Sequence, residues 1–209
     1  MTVEATKENL ALVGKIVPTF FKYLIPSMLS LIAMTSASLV DGIFIGNYVG
    51  VTALGAVNLT IPVTALLFGF AMMLSVGGSV RAGKYLGEKN YEAASSIFSK
   101  TLIFVTGYGV LAISLGLFFE LQLFAGLGAK EELFPVMSEY YQVILPFLLA
   151  QFIVIVMYFF IRLDGFPNLV AIALTVGALV NILLDYLFIG VLGFGLRGAA
   201  FATGISQAL

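Results

Sequence analysis

The chain has 209 residues, of which 61% are hydrophobic and only 10% charged, with a formal net charge of −1 and a mean hydropathy of +1.10. Soluble domains carry about 25% charged residues, so this composition excludes a water-facing globule, and the near-zero charge excludes a nucleic-acid footprint. The absence of Cys excludes disulfides, thiolate metal sites and Cys nucleophiles, and the absence of His leaves carboxylates to carry any proton chemistry near neutral pH.

The first fifteen residues are polar and of mixed charge. The apolar run after them is too long for a signal-peptide core and no A-x-A cleavage site follows it. It is predicted to be a retained membrane helix over 17–46, starting near Pro18 and Lys22. Pro26 is expected to bend this helix and to act as a gating point, because Pro removes a backbone donor and clashes with the preceding turn. A second helix is expected over 53–82, holding Pro62, a third over 96–120, and a fourth over 136–162, holding Pro146. A fifth spans 167–190, with Pro167 suited to its first turn. A sixth starts at Gly198. The twelve residues 198–209 give roughly 18 Å of helix, short of the roughly 30 Å bilayer core, so the sequence is expected to stop inside an element. The predicted fold class is an all-α integral membrane protein, a polytopic bundle of five full transmembrane helices plus the start of a sixth, forming one lobe over 1–209.

Orientation follows from Lys and Arg placement. With the N-terminus cytoplasmic, the inner segments hold eight basic residues, among them Arg81, Lys84, Lys89 and Lys100, and the outer segments hold two, Lys130 and Arg197. The protein is therefore expected to be multi-pass in the plasma (inner) membrane, with membrane lipids around it.

Two acids fall within predicted spans, Asp41 and Asp185. Intramembrane carboxylates are expensive and mark function by default. Both lie roughly 26–28 Å along outward-running helices, so their depths match. Ser27, Ser30, Met34, Ser38 and Asp41 share one helical face, and Asn181 precedes Asp185 by four. Thr203 and Gln207 repeat that spacing. Two carboxylates, an amide and a hydroxyl supply hard oxygen ligands for Na+ or a shared proton. The blander alternative is that each acid merely snorkels to the interface. Gln151 and Tyr158 are candidates to face a cavity. Gly42, Gly46 and Gly50 have the small-xxx-small spacing of close helix packing. The Phe, Tyr and Met residues suit an adaptable pocket for organic cations, although packing explains most of them. With no Ser/His, Cys/His or His cluster, an intramembrane enzyme is not expected.

The segment Leu39-Val-Asp41-Gly-Ile-Phe-Ile-Gly46-Asn-Tyr-Val-Gly50, followed by Ala53-Leu-Gly-Ala-Val-Asn58, resembles the helix 1–2 signature of the MATE (multidrug and toxic compound extrusion) family. Arg162-Leu-Asp164-Gly-Phe-Pro167 is similar to its helix 4–5 loop. Asn181-Ile-Leu-Leu-Asp185 and Gly195-Leu-Arg-Gly198-Ala-Ala-Phe-Ala-Thr203 are similar to its helix 5–6 segment. The resemblance implies a twelve-helix exporter of two six-helix lobes. This chain would be the N-terminal lobe, and the C-terminal lobe is missing from it. It implies antiport of amphipathic, often cationic drugs against Na+ or H+ by alternating access, with no cofactor besides the coupling ion. The paired acids resemble the DNA-damage-inducible branch, by which Asp41, Asn181, Asp185 and Thr203 map onto cation-site positions. The alternatives are a lipid-linked precursor flippase of the same superfamily and a non-transporting membrane fragment.

Overall fold

The protein, described by a computed structural model over residues 3–209, is built from helices, with no strand among the described residues. Side chains of residues 3–17, Thr19, Lys22, Tyr23 and Ser30 lie outside that description. In chain order the α-helices are α1 (Val3–Phe44), α2 (Val51–Gly87), α3 (Tyr91–Phe118), α4 (Glu120–Gly126), α5 (Phe134–Leu163), α6 (Pro167–Asp185) and α7 (Gly195–Gln207). Short π-helical segments, Ile45–Val49 and Tyr186–Val191, continue α1 and α6. Five stretches are long and apolar enough to cross a bilayer, with mean hydropathies from 1.8 to 2.6. The chain is an all-α, multi-pass membrane protein.

Three features depart from the pattern read in the sequence. Helix α1 begins at Val3, well before residue 17, and stays helical through Pro18 and Pro26. A short helix, α4, occupies the connection after α3. The fifth predicted helix divides into α6 and a π-helical end, a change of hydrogen-bond pattern that hydrophobic periodicity does not report.

The turns follow local chemistry. Asn90 caps α3, its side-chain oxygen accepting from the Ala93 N–H at 3.0 Å. Gly165, at φ 91°, makes the turn from α5, and Pro167 opens α6 where its missing N–H costs nothing. Asp164 is the C-cap residue of α5.

Helix α5 is central. It packs against α2, α3, α6 and α7, while α1 lies on α6 and α2 on α3. Its two sides feed two apolar clusters. Tyr141, Leu145, Phe152 and Val156 join Val105 of α3 and Ala71 of α2 in one. Tyr140 and Ile144 join Ile45, Ile189 and Leu196 in the other. Side chains such as Leu39, Ile103, Phe104 and Leu183 project outward at 65–69% exposure, a surface that suits lipid rather than water.

Helices approach closely at glycines other than those the spacing singled out. A Cβ on Gly78 of α2 would lie 2.1 Å from the Thr101 hydroxyl of α3. By contrast, Gly42 and Gly46 meet Leu54 at ordinary distances of 3.9 and 3.6 Å, and Gly50 serves the turn through its φ of 122°. The bilayer offers no water to free polar groups. Accordingly the hydroxyls of Thr60, Ser75 and Thr101 donate to carbonyls of their own helices at 2.7–2.8 Å.

Candidate functional site

The packing of α1 on α6 brings together the two helix ends that carry intramembrane acids. Asp41 lies one turn before the end of α1 and Asp185 is the last residue of α6. A π-helical segment follows each of them, and such turns within α-helices are frequent at functional sites. The two segments meet at Gly190, where a Cβ would lie 3.8 Å from the Phe44 ring and 3.9 Å from that of Tyr48. Phe44 and Tyr48 stack with centroids 5.6 Å apart.

The charge of Asp41 acts on Asp185, and both act on the Tyr140 hydroxyl presented by α5. Asp185 is 0% exposed and Asn181, one turn earlier, 6%. Thr203 of α7 lines a cavity of about 220 Å³ together with Tyr140, Thr60, Thr64, Gln151 and Gln207.

Several of these groups are short of hydrogen-bond partners. Asp41 Oδ1, both carboxylate oxygens of Asp185 and the Thr203 hydroxyl are buried and have no hydrogen-bond partner. A buried polar group without a partner costs free energy, and a buried charge costs far more. Such oxygens are hard donors that suit a proton or a small alkali cation. The described residues contain no group of three or more His, Cys, Asp or Glu side chains arranged to hold a metal. Two acids with neutral oxygen neighbours suit the low charge of Na+ or H+.

Of the residues singled out in the sequence, Asp41 and Asp185 are electrostatic neighbours, Asn181 shares the buried face of α6, and Thr203 stands beside Tyr140 in the cavity wall. Gln151 lines the cavity, whereas Tyr158 is not part of its wall. Ser38 is exposed and its hydroxyl donates back to the Met34 carbonyl at 3.2 Å, so it stands apart from the acids. Ser30 lies outside the described side chains. Sequence reasoning missed Tyr140. Nothing local marks it, because its place beside the two acids depends on how α5 packs in the bundle.

Comparisons with known proteins agree with this architecture. The MatE family model matches residues 26–187. The chain is 29% identical over 98% of its length to a Bacillus subtilis protein described as "Probable multidrug resistance protein YoeA". It is 30% identical over 90% of its length to "Multidrug export protein MepA" of Staphylococcus aureus. It covers 46% and 42% of those two proteins, less than half the length of either. A solved structure, "Crystal structure of MATE in complex with MaD3S", superposes with a TM-score of 0.83 at 32% identity, over 88% of this chain and 41% of the other. The family signatures around Asp41 and Asp185, the helix order and these matches lead to one assignment: the chain belongs to the MatE family of MATE transporters and has the architecture of their N-terminal lobe.

Proposed function

We propose that this lobe serves a transporter that exports amphipathic, often cationic drugs in exchange for Na+ or H+ by alternating access. The observation that carries the proposal is the set of buried oxygens without hydrogen-bond partners on Asp41, Asp185 and Thr203. Two carboxylates in a low-dielectric setting do not both stay ionised without a counter-charge. A proton or a Na+ supplies that charge, and the pair titrates or binds as a unit. Release of the ion leaves a site with net negative charge, attractive to a drug cation entering the cavity beside Tyr140 and Thr203. Asn181, buried on the same face of α6 as Asp185, adds an amide oxygen. Pro26 in α1 is the proposed gating point, since a bend there would alter access to Asp41, fifteen residues further along the helix.

The relatives' names support drug export, and the acidic character of the membrane interior favours cations as cargo. The alternative, flipping of a lipid-linked precursor, would call for basic residues to hold a pyrophosphate. The cavity wall instead presents neutral polar and apolar side chains. The eight-to-two distribution of basic residues supports a cytoplasmic N-terminus in an inner membrane.

The experiment is drug efflux from proteoliposomes containing the intact transporter, under separately imposed Na+ and H+ gradients. Wild-type protein should respond to one of the gradients, and Asp41→Asn should lose that response while still binding drug. Gradient-driven efflux of wild-type rate in Asp41→Asn would defeat the proposal.

A further inference from the structure

Adjacent tyrosines of α5 serve different acids. Tyr140 faces the Asp41–Asp185 pair, whereas Tyr141 lies within the electrostatic reach of Glu120, a residue with no part in the function above. Glu120 begins α4 and is 7% exposed. From α5 the Ser138 hydroxyl donates to its Oε1, and the Gln142 amide donates to Oε1 at 3.3 Å and Oε2 at 3.0 Å. Residues 138, 141 and 142 fall on one helix face. Tyr141 is 1% exposed and its hydroxyl has no hydrogen-bond partner. A Cβ on Gly116, one turn before Glu120, would lie 3.0 Å from that hydroxyl. Glycine at 116 thus gives the hydroxyl room at the α3–α4 junction where Glu120 stands.

The cluster gathers one carboxylate and three neutral oxygens, from a serine, a tyrosine and a glutamine whose amide rotates to offer either end. The side chains that bond to Glu120 are neutral, so nothing among them balances its charge. One negative charge with hard neutral donors matches a monovalent cation. Calcium takes about 6–8 oxygens and usually several carboxylates, and transition metals favour imidazole or thiolate, which this chain lacks.

We propose that Glu120, Ser138, Tyr141 and Gln142 form a second monovalent-cation site, separate from the Asp41–Asp185 pair and joined to it through α5. The test uses the intact transporter in detergent, melted in NaCl and in choline chloride of equal ionic strength. A Na+-dependent rise in melting temperature should persist in Asp41→Asn/Asp185→Asn and vanish when Glu120→Gln is added. Tyr141→Phe, which keeps the packing, should raise the half-saturating Na+ concentration about tenfold. Equilibrium binding of radioactive Na+ should show one ion fewer per chain in Glu120→Gln alone. The proposal is overturned by any of three results: no Na+ response in the doubly substituted protein, a response there that Glu120→Gln leaves intact, or an unchanged ion count.

Discussion

Replacing Asp185 by Asn probes the carboxylate pair most sharply, because the side chain is fully buried, has no hydrogen-bond partner and feels the charge of Asp41. At an effective dielectric of about 20, two unit negative charges repel by about 4 kcal/mol at about 4 Å and by about 2 kcal/mol at about 8 Å. A bound cation removes that repulsion, which is part of what makes the pair attract it. Asparagine is nearly isosteric and cannot ionise, so the repulsion is already absent in Asp185→Asn and binding the cation no longer relieves it. The loss corresponds to roughly a 30- to 1,000-fold weaker affinity for the coupling ion. The same substitution should raise the melting temperature of the cation-free protein, because an unpaired buried charge has been removed. The assay is a pair of titrations on purified transporter in the Glu120→Gln background, which silences the second proposed site: ion-dependent melting and ion-dependent drug release, with and without Asp185→Asn. An unchanged half-saturating ion concentration would refute the reasoning, as would a lower melting temperature with unchanged affinity.

Thr203→Ala removes one neutral oxygen and should weaken ion binding about tenfold, with no comparable loss in melting temperature; equal affinity for wild type and variant would exclude Thr203 from the site. Gly78→Ala should destabilise the lobe by about 1–3 kcal/mol, because its Cβ would meet Thr101 at 2.1 Å. Thermal melting reads this loss, and Thr101→Ala in the same chain should recover most of it; no recovery would show that α2–α3 contact is not the cause. Pro26→Ala should slow efflux while leaving ion affinity unchanged, and wild-type efflux rates would remove Pro26 from the gating scheme. Lys89→Cys, in the turn between α2 and α3 on a chain free of Cys, should react with an impermeant thiol reagent only from the cytoplasmic side. Labelling from outside would invert the topology.

Much of the fold was legible because bilayer physics leaves few options. Long charge-free stretches broken by turn residues and charges mark spans almost directly, and Pro167 and Gly165 placed the α5–α6 turn. The start of α1 was not legible, since polar residues before a span carry no hydrophobic signal even when helical. Nor was α4, a single short helix whose buried Glu120 gives no sign in sequence of the partners that α5 supplies. Asp41 and Asp185 stood out because charge within a span is rare. Tyr140 did not, because a tyrosine in a membrane helix is unremarkable until its helix is placed beside both acids. The glycines show the same limit. Gly42, Gly46 and Gly50 have the spacing of a close interface, yet the glycines where a neighbouring side chain would meet a Cβ at 3.0 Å or less, Gly78 and Gly116 among them, lie elsewhere.

The central claim is that Asp41 and Asp185 bind one coupling cation as a unit. Infrared difference spectroscopy of the reconstituted transporter on addition of the coupling ion reads this directly. It is best done in the Glu120→Gln background, so that the second proposed site is silent. A carboxylate band should change on ion addition and disappear from the difference spectrum in both Asp41→Asn and Asp185→Asn. An ion-induced carboxylate change that survives in both variants would contradict the account.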